Sequence, residues 1–282
     1  MVLMEIVKQL NYRYLSVIKK DWQNQKSRGK FIRYYQGYKI DLLKESLERI
    51  DVLNDTTAKL YFDLATYKDE NGNLPLFSFE QSKREQQRIN FSGVPSKNIE
   101  GKYKSWIKSY DFAIDIDNKD VMKSWEDAKK VKEVFDTYKL PYSVRFSGSK
   151  GFHFVIDSKW IELEQPVLQW ADIFGGIVQN LSRDEFGEDE KGDPLGSIDF
   201  SIYDPRRVLK IAYSLVNKNE KEYVVLPLSE EQFNNFKLEN MELASVLKNC
   251  QLFKRGILER NHGLTEQQLK RNVSDFFRDY GY

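Results

Sequence analysis

Cysteine and histidine are scarce in this 282-residue chain, which holds only Cys250, His153 and His262. A single cysteine cannot form an internal disulfide, and three such residues are too few for a Cys/His zinc site. Long apolar runs are also missing. None approaches the ~18 residues that a membrane-spanning helix needs, and charges come too early at the N-terminus for a signal peptide. The sequence therefore predicts an intracellular, cytoplasmic protein without zinc and without a membrane partner.

The chain also lacks an excess of one charge. Lys and Arg number 44 against 43 for Asp and Glu, so the formal net charge of +1 points neither to a nucleic-acid binder nor to a binder of acidic ligands. The largest local excess lies in residues 1–50, with eleven basic and five acidic side chains. This stretch is either a solvated helical face or a surface that contacts phosphate, and its composition fits both.

Hydrophobic residues make up 40% of the chain and aromatic residues 14%. That balance supports a sizeable core and excludes a disordered or collagen-like protein. Apolar periodicity predicts amphipathic helices over 1–22 and 39–50, and the fragment AKLYFDLATY predicts a strand.

A regular alternation of strand and helix patterns fills residues 101–228. The predicted strands are YDFAIDIDN, YSVRFS, GFHFVID, SIDF and VLKIAYSL. The predicted helices are KDVMKSWEDAKKVKEVFDTY and IELEQPVLQWADIFGGIVQNLS, the second interrupted near Pro166. The order strand–helix–strand–strand–helix–strand is that of a split βαβ, ferredoxin-like core. Residues 229–282 are polar and predicted to be helical.

Two carboxylates are predicted to project from one side of a hydrophobic strand. Because side chains alternate along a strand, Asp115 and Asp117 share the face opposite Phe112, Ile114 and Ile116. Like charges so close repel unless a cation lies between them, and oxygen ligands suit Mg²⁺ or Mn²⁺. The alternative is a strand end that opens into water, and Asp-x-Asp alone does not exclude it.

A Ser-Gly-Ser-Lys-Gly turn follows about thirty residues later. Gly148 and Gly151 permit positive φ and a close approach of backbone to a ligand. Ser147, Ser149 and Lys150 add hydroxyls and an ammonium, so the turn has the chemistry of a phosphate cradle. His153 projects from the returning strand next to this turn. A phosphate-donor role is favoured there over that of a buried core histidine.

A third carboxylate, Asp199, lies in the short apolar segment SIDF, where an isolated charge is costly. Basic residues follow it at Arg206, Arg207, Lys210 and Lys218. A metal ligand followed by cations suits a nucleoside triphosphate. The same pattern of residues is also compatible with an ordinary hairpin that has a basic surface.

Together these three segments resemble the archaeo-eukaryotic primase superfamily, and most of all its small catalytic primase subunit. The family pattern is Asp-x-Asp on a strand, then Ser-Gly-x-x-Gly-x-His, then a lone Asp before a basic strand. This sequence has DID at 115–117, SGSKGFH at 147–153 and Asp199 before RRVLKIAYSLVNK. The resemblance covers roughly residues 105–220.

The resemblance implies a DNA primase, a DNA-directed nucleotidyltransferase that makes primers from nucleoside triphosphates on a single-stranded DNA template. Asp115, Asp117 and Asp199 would be the catalytic residues and would hold two Mg²⁺ or Mn²⁺ ions. The residues implied to bind the nucleotide are Ser147, Gly148, Ser149, Lys150, Gly151, His153, Arg207, Lys210 and Lys218. The resemblance also implies association with the nucleoid, and it makes a large primase subunit or another replication or repair protein a candidate partner.

The implied fold is α+β, a primase-type catalytic core. A ferredoxin-like (RRM-like) half over 105–228 would bear the metal site, and 1–104 would form an N-terminal mixed α/β half. The catalytic domain would thus span 1–228, with 229–282 as a helical C-terminal segment.

Two departures from the family pattern are visible. Where relatives often show Ser-Leu-His in the last basic strand, this chain has Ser214, Leu215 and Val216, so the histidine contact is missing or passes to Asn217. The zinc-binding insertion of many small subunits is excluded by the cysteine count. Two alternatives stay open: a catalytically idle primase-like subunit that binds nucleic acid, and a metal-dependent phosphoesterase.

Overall fold

The computed structural model describes residues 14–19, 30–36, 58–68, 71–72, 107–203, 208–249 and 259–282. The strands in these ranges are β1 (Tyr14–Lys19), β2 (Lys30–Gln36), β3 (Ala58–Asp63), β4 (Ala65–Tyr67), β5 (Ile107–Tyr110), β6 (Phe112–Asp117), β7 (Ser143–Phe146), β8 (Gly151–Ile156), β9 (Val208–Lys210), β10 (Leu215–Lys218), β11 (Lys221–Val224) and β12 (Leu226–Pro227). The α-helices are α1 (Val121–Thr137), α2 (Trp170–Phe186), α3 (Glu230–Asn234), α4 (Leu243–Lys248) and α5 (Glu266–Asp279). None of the helices in these ranges is both long and apolar enough to cross a bilayer.

The chain divides into two compact units, one of residues 1–109 and 205–215, the other of residues 110–204 and 216–282. In the first unit, β1 lies between β2 and β3, and β9 pairs with the other side of β3. The predicted helix over 1–22 is wrong at 14–19, where β1 forms. Because β1 hydrogen-bonds to a strand on each side, these pairings outweigh a local helical period that the β-branched Val17 and Ile18 already weaken. The remaining residues of that prediction, and the helix predicted over 39–50, lie outside the described residues. The strand predicted at AKLYFDLATY is confirmed as β3 and β4.

An antiparallel sheet in the order β12-β7-β8-β6 forms the centre of the second unit. The segment after α2 adds a single antiparallel bridge, Ile116 to Ile198, on the free side of β6. The first strand of the motif therefore lies between the third strand and the last segment, as a split βαβ arrangement requires. The predicted strand SIDF is only this one bridge, since a 3₁₀ helix starts at Phe200. The predicted strand VLKIAYSL is likewise two pieces, β9 and the start of β10, separated by a turn.

Local signals set the ends of α1 and α2. The Asp120 side chain accepts a hydrogen bond from the Met122 amide at 2.9 Å and caps α1, as an N-cap aspartate should. The second helix begins at Trp170, later than predicted, because Pro166 precedes a separate 3₁₀ turn over Val167–Gln169. It ends at Phe186, and the C-cap residue that follows, Gly187, has a φ of +80° that suits glycine.

The core of the second unit is aromatic and lies on one face of the sheet. The Phe112 ring contacts a ring from each of the three long helices, at centroid distances of 6.4 Å to Phe135, 5.2 Å to Phe174 and 5.2 Å to Phe277. The ring of Phe276 lies 5.9 Å away. The C-terminal helix α5 thus helps to enclose the core that β6 begins. The division of domains at 228 stays a prediction, but both sides of it contribute to this core.

Candidate active site

The face of β6 that points away from the aromatic core carries Asp115 and Asp117. Phe112, Ile114 and Ile116 are fully buried on the core side, while the Asp115 side chain is 18% exposed and the Asp117 side chain 36%. The strand alternation therefore places both carboxylates together, as their spacing predicts.

Asp199 joins the same face through the bridge beside β6. The Asp117 amide donates to the Ser197 carbonyl at 2.7 Å, and the Asp199 amide donates to the Asp115 carbonyl at 2.8 Å. The antiparallel register of Ile116 and Ile198 sets Asp199 opposite Asp115. Opposed residues have Cβ atoms roughly 4.5–5.5 Å apart, so the two carboxylates are neighbours.

The Ser-Gly-Ser-Lys-Gly segment is the hairpin loop between β7 and β8. The Ser147 amide donates to the Gly151 carbonyl at 2.8 Å, and the Gly151 amide donates to the Ser147 hydroxyl at 3.1 Å, which closes the loop. Gly151 leaves no space for a side chain, since a Cβ there would lie 1.5 Å from the Ile116 carbonyl oxygen. Gly148 has a φ of +85°, and a Cβ on it would lie 2.6 Å from Val216. Both glycines are thus required by close packing within the chain itself.

Side chains behind the loop hold its carbonyl groups. The Ser124 hydroxyl of α1 donates to the Lys150 carbonyl at 2.6 Å, and the Lys218 ammonium of β10 donates to the Ser149 carbonyl at 3.0 Å. The structure therefore brings Lys218 to the loop, as predicted, though it contacts loop backbone. The Lys150 ammonium lies 3.6 Å from Asp117 Oδ2 and joins the loop to the carboxylate face.

His153 lies opposite Asp115 on β8, and its Nε2 atom is 3.5 Å from Asp115 Oδ1. On the other side of His153 in the sheet is Arg145, which is 6% exposed. The sheet thus carries a row of polar side chains, Asp199, Asp115, His153 and Arg145, contributed by four adjacent segments. We did not predict Arg145 from the sequence. Its signal is an arginine on the polar face of YSVRFS, opposite Val144 and Phe146.

Tyr203 lies within electrostatic reach of the two opposed carboxylates. Its hydroxyl donates to the Ala113 carbonyl at 2.7 Å. Burial raises the pKa of the Tyr203 hydroxyl well above its usual range, and the negative charges of Asp115 and Asp199 raise it further. Tyr203 is therefore a neutral hydrogen-bond donor at ordinary pH, and it joins the 3₁₀ turn after Asp199 to β6.

The three carboxylates have the chemistry to bind a divalent cation, but in the structure they do not converge on a single point. Within the part of the chain that the structure describes, no three His, Cys, Asp or Glu side chains converge closely enough to hold a metal ion. Asp199 Oδ1 instead accepts the Ser201 amide at 2.8 Å, while Asp115 and Asp117 lie beside His153 and Lys150. All three donors share one face and offer the oxygen atoms that Mg²⁺ and Mn²⁺ prefer. Metal binding therefore stays a prediction.

Two further residues were predicted to complete the nucleotide clamp, and their role stays a prediction. Lys210 lies on β9 in the first unit, in register with Tyr61, and Arg207 lies outside the described residues. The departure from the family at Val216 has a structural counterpart, because its side chain packs against Gly148.

No family model and no curated protein matches this sequence. The polymerase domain from Mycobacterium tuberculosis Ligase D in complex with DNA is similar in structure, with a TM-score of 0.52 over 90% of this chain and 89% of that chain, at 11% identity. The primase RepB' has a TM-score of 0.43 at 12% identity, over 99% of this chain and 69% of that one. The catalytic domain of primase RepB' in complex with initiator DNA has a TM-score of 0.42 at 12% identity, over 90% and 96%. The likeness to the polymerase domain confirms the predicted α+β, primase-type fold, and at this identity it extends to the fold alone.

Proposed function

We propose that this chain is a DNA-templated nucleotidyltransferase of the primase-polymerase type, within the archaeo-eukaryotic primase superfamily. The observation that carries the proposal is the opposed pair Asp115 and Asp199 next to the loop 147–151 and His153. The fold of a polymerase domain supports it, and that domain was solved with DNA.

Asp115, Asp117 and Asp199 are the residues proposed to hold the divalent ions. When bound, Mg²⁺ or Mn²⁺ would stabilise the charge that develops on the attacking and leaving oxygens of nucleotidyl transfer. The chain's own contribution is to keep three negative charges on one face of the sheet. The Lys150 ammonium lies beside Asp117 and reduces the repulsion among these charges, and the His153 ring lies beside Asp115.

The loop 147–151 and the cations around it are proposed to bind the triphosphate. The Lys150 side chain is 46% exposed, so its ammonium can reach a phosphate oxygen without a change in the backbone. His153 and the buried Arg145 supply positive charge or hydrogen-bond donors beside the loop. Arg207 and Lys210 remain predicted members of the clamp. Single-stranded DNA and nucleoside triphosphates are the proposed partners, and a large primase subunit or another replication or repair protein stays a candidate partner.

The experiment that tests this function is product formation on unprimed single-stranded DNA with labelled nucleotides and Mg²⁺ or Mn²⁺. The Asp115→Ala/Asp117→Ala double variant is assayed beside the parent. Asp120→Asn is the control, since it removes a nearby charge and keeps a side chain that can cap α1. Labelled oligomers from the parent and the control, with none from the double variant, would support the proposal.

Other outcomes identify the alternatives. Extension only when a primer is supplied would show a polymerase that needs a partner to start. Hydrolysis of the triphosphates without joining would show a phosphoesterase. If the parent binds DNA but neither joins nor hydrolyses nucleotides, the chain is an idle subunit and the proposal is wrong.

A further inference from the structure

Asp127 is a buried carboxylate on α1 that the proposed chemistry does not use. Its side chain is only 1% exposed, and an isolated charge at such a position is costly. Lys123 one turn earlier donates to Oδ1 at 2.9 Å, but the Lys123 side chain is 56% exposed. The other oxygen, Oδ2, accepts the Ser197 hydroxyl at 2.6 Å. The carboxylate thus connects α1 to the segment that leads to Asp199.

Ser197 is the junction of this connection. Its hydroxyl donates to Asp127 and accepts a hydrogen bond from the Asn118 side-chain amide at 3.0 Å. Its carbonyl accepts the Asp117 amide at 2.7 Å. Asn118 directly follows the strand that carries Asp115 and Asp117. The buried Ser197 is therefore hydrogen-bonded both to α1 and to the end of β6.

Among the described residues, one backbone bridge and the Tyr203 hydroxyl bond to Ala113 join the segment of Asp199 to β6. The bridge at Ile116 and Ile198 carries two backbone hydrogen bonds, and the chain turns into a 3₁₀ helix directly afterwards. A long ladder would fix the register through many bonds, whereas a single bridge depends on neighbouring contacts. Hydrogen bonds to an ionised carboxylate are short and strong, and the 2.6 Å contact to Asp127 is of this kind.

We propose that Asp127 is a positioning residue that acts through Ser197 to keep Asp199 opposite Asp115. It lies behind the carboxylate face and does not contact reacting atoms. Its consequence for nucleotide joining rests on the proposed function, but the positioning itself is a property of the fold and is tested separately.

Amide hydrogen exchange tests the positioning without any substrate. The Asp117 and Asp199 amides donate across the bridge, so their protection reports whether the bridge is intact. We expect Asp127→Asn and Ser197→Ala to speed the exchange of both amides by roughly tenfold or more, the value of one hydrogen bond to a charged group. Amides that pair β7 with β8 should keep the protection they have in the parent.

Asp136→Asn is the matched control, because Asp136 is also on α1 and also pairs with a lysine one turn earlier, Lys132. It should leave the exchange of the Asp117 and Asp199 amides unchanged. Equal protection of those amides in the parent and in Ser197→Ala would overturn the proposal. Ser197→Ala removes only a hydroxyl, so it decides the question even if Asp127→Asn does not fold.

A second readout links positioning to the site. Mn²⁺ titration followed by electron paramagnetic resonance should show at least about tenfold weaker binding in Asp127→Asn and Ser197→Ala, and kcat should fall with little change in the nucleotide KM. The two residues act through one hydrogen bond. The double variant should therefore bind Mn²⁺ and join nucleotides no less well than the more impaired of the two single variants. If the parent neither binds Mn²⁺ nor joins nucleotides, the proposed function fails, and the exchange result still decides the positioning.

Discussion

Asp199 lies opposite Asp115 in the second unit, with its amide donating to the Asp115 carbonyl at 2.8 Å. The two residues are far apart in the sequence and meet because β6 takes the segment after α2 along its free side. Both carboxylates raise the pKa of the Tyr203 hydroxyl, so their charges act on the same small region. This pairing leads directly to the first of five predictions.

Asp199→Asn should lower nucleotide joining by a factor of roughly 10²–10³ or more, because charge stabilisation by a bound metal ion is worth several kcal/mol. Asparagine keeps an oxygen that can accept the Ser201 amide, so the fold should be retained. The measurement is the joining rate at saturating nucleotide, with Asp120→Asn as a variant of equal charge change. A folded Asp199→Asn protein with near-normal activity would contradict the metal assignment.

His153→Ala should raise the KM for the nucleotide, because His153 lies between Asp115 and Arg145 beside the loop 147–151. The expected rise in KM is about tenfold, which corresponds to the loss of one hydrogen bond to a charged phosphate. The control is the other histidine, as His262→Asn, because asparagine tolerates the positive φ of 52° found there. If His153→Ala changed only the affinity for the DNA template, the triphosphate role of the loop would be wrong.

Gly151→Ala should destabilise the chain by roughly 2–4 kcal/mol, because the new methyl group collides with the Ile116 carbonyl and must push two strands apart. Urea unfolding measures the change. Gly176→Ala is the control: that glycine is exposed on α2 with open space around it, so alanine should stabilise by about 0.5–1 kcal/mol. A Gly151→Ala variant as stable as the parent would exclude the tight approach of β8 to β6.

Asp136 on α1 should make stability depend on pH. Burial alone would raise the pKa of this carboxyl, but hydrogen bonds from Lys132 and Tyr142 and the charges of Lys132 and Arg260 favour the ionised form, so the pKa lies below its ordinary value of 3.8. A carboxyl with a lowered folded-state pKa stabilises the fold above its unfolded pKa, and this contribution disappears as the pH falls through the lowered value.

Asp136→Asn removes this contribution. Urea unfolding of the parent and the variant should therefore differ most near neutral pH, and the difference should shrink below about pH 4. A difference that stays constant from neutral pH to about pH 3 would contradict the lowered pKa.

Phe276→Ala should cost roughly 3–5 kcal/mol of unfolding free energy, as for other large-to-small changes of a buried aromatic residue. The Phe276 ring is fully buried and lies 5.9 Å from Phe112 and 5.6 Å from Phe135. Arg271→Ala on the same helix serves as the control, since its side chain is 82% exposed and its loss should change stability by under about 0.5 kcal/mol. A negligible effect of Phe276→Ala would mean that α5 is not part of the core.

Several elements of the fold could be predicted because their signal is local. Strands β6, β7 and β8 and helix α1 follow from alternation, from the 3.6-residue period and from the Asp120 cap. The errors have a different cause. At 14–19 pairing with two neighbouring strands outweighs the helical period, and at SIDF a 3₁₀ turn stops the strand after one bridge.

Some features of the candidate site were likewise predictable from local sequence, and others were not. The shared face of Asp115 and Asp117 and the turn at Gly148 follow from spacing and residue type. Arg145 and Asp127 were missed because a buried charge in a strand or helix is recognised only when its partners across the sheet are known. The nucleotide contact of Gly151 stays a prediction, and only the structure shows that this glycine also makes room for the Ile116 carbonyl.

The amino-acid sequence by itself determined which residues have the chemistry of the site and which face of each strand they occupy, because both depend on residue type and on a two-residue period. Only the tertiary structure decided that Asp199 stands opposite Asp115, that His153 lies between Asp115 and Arg145, and that Asp127 holds Ser197. Those relations depend on strand order and register. Contacts between distant segments set both, and no local period encodes them.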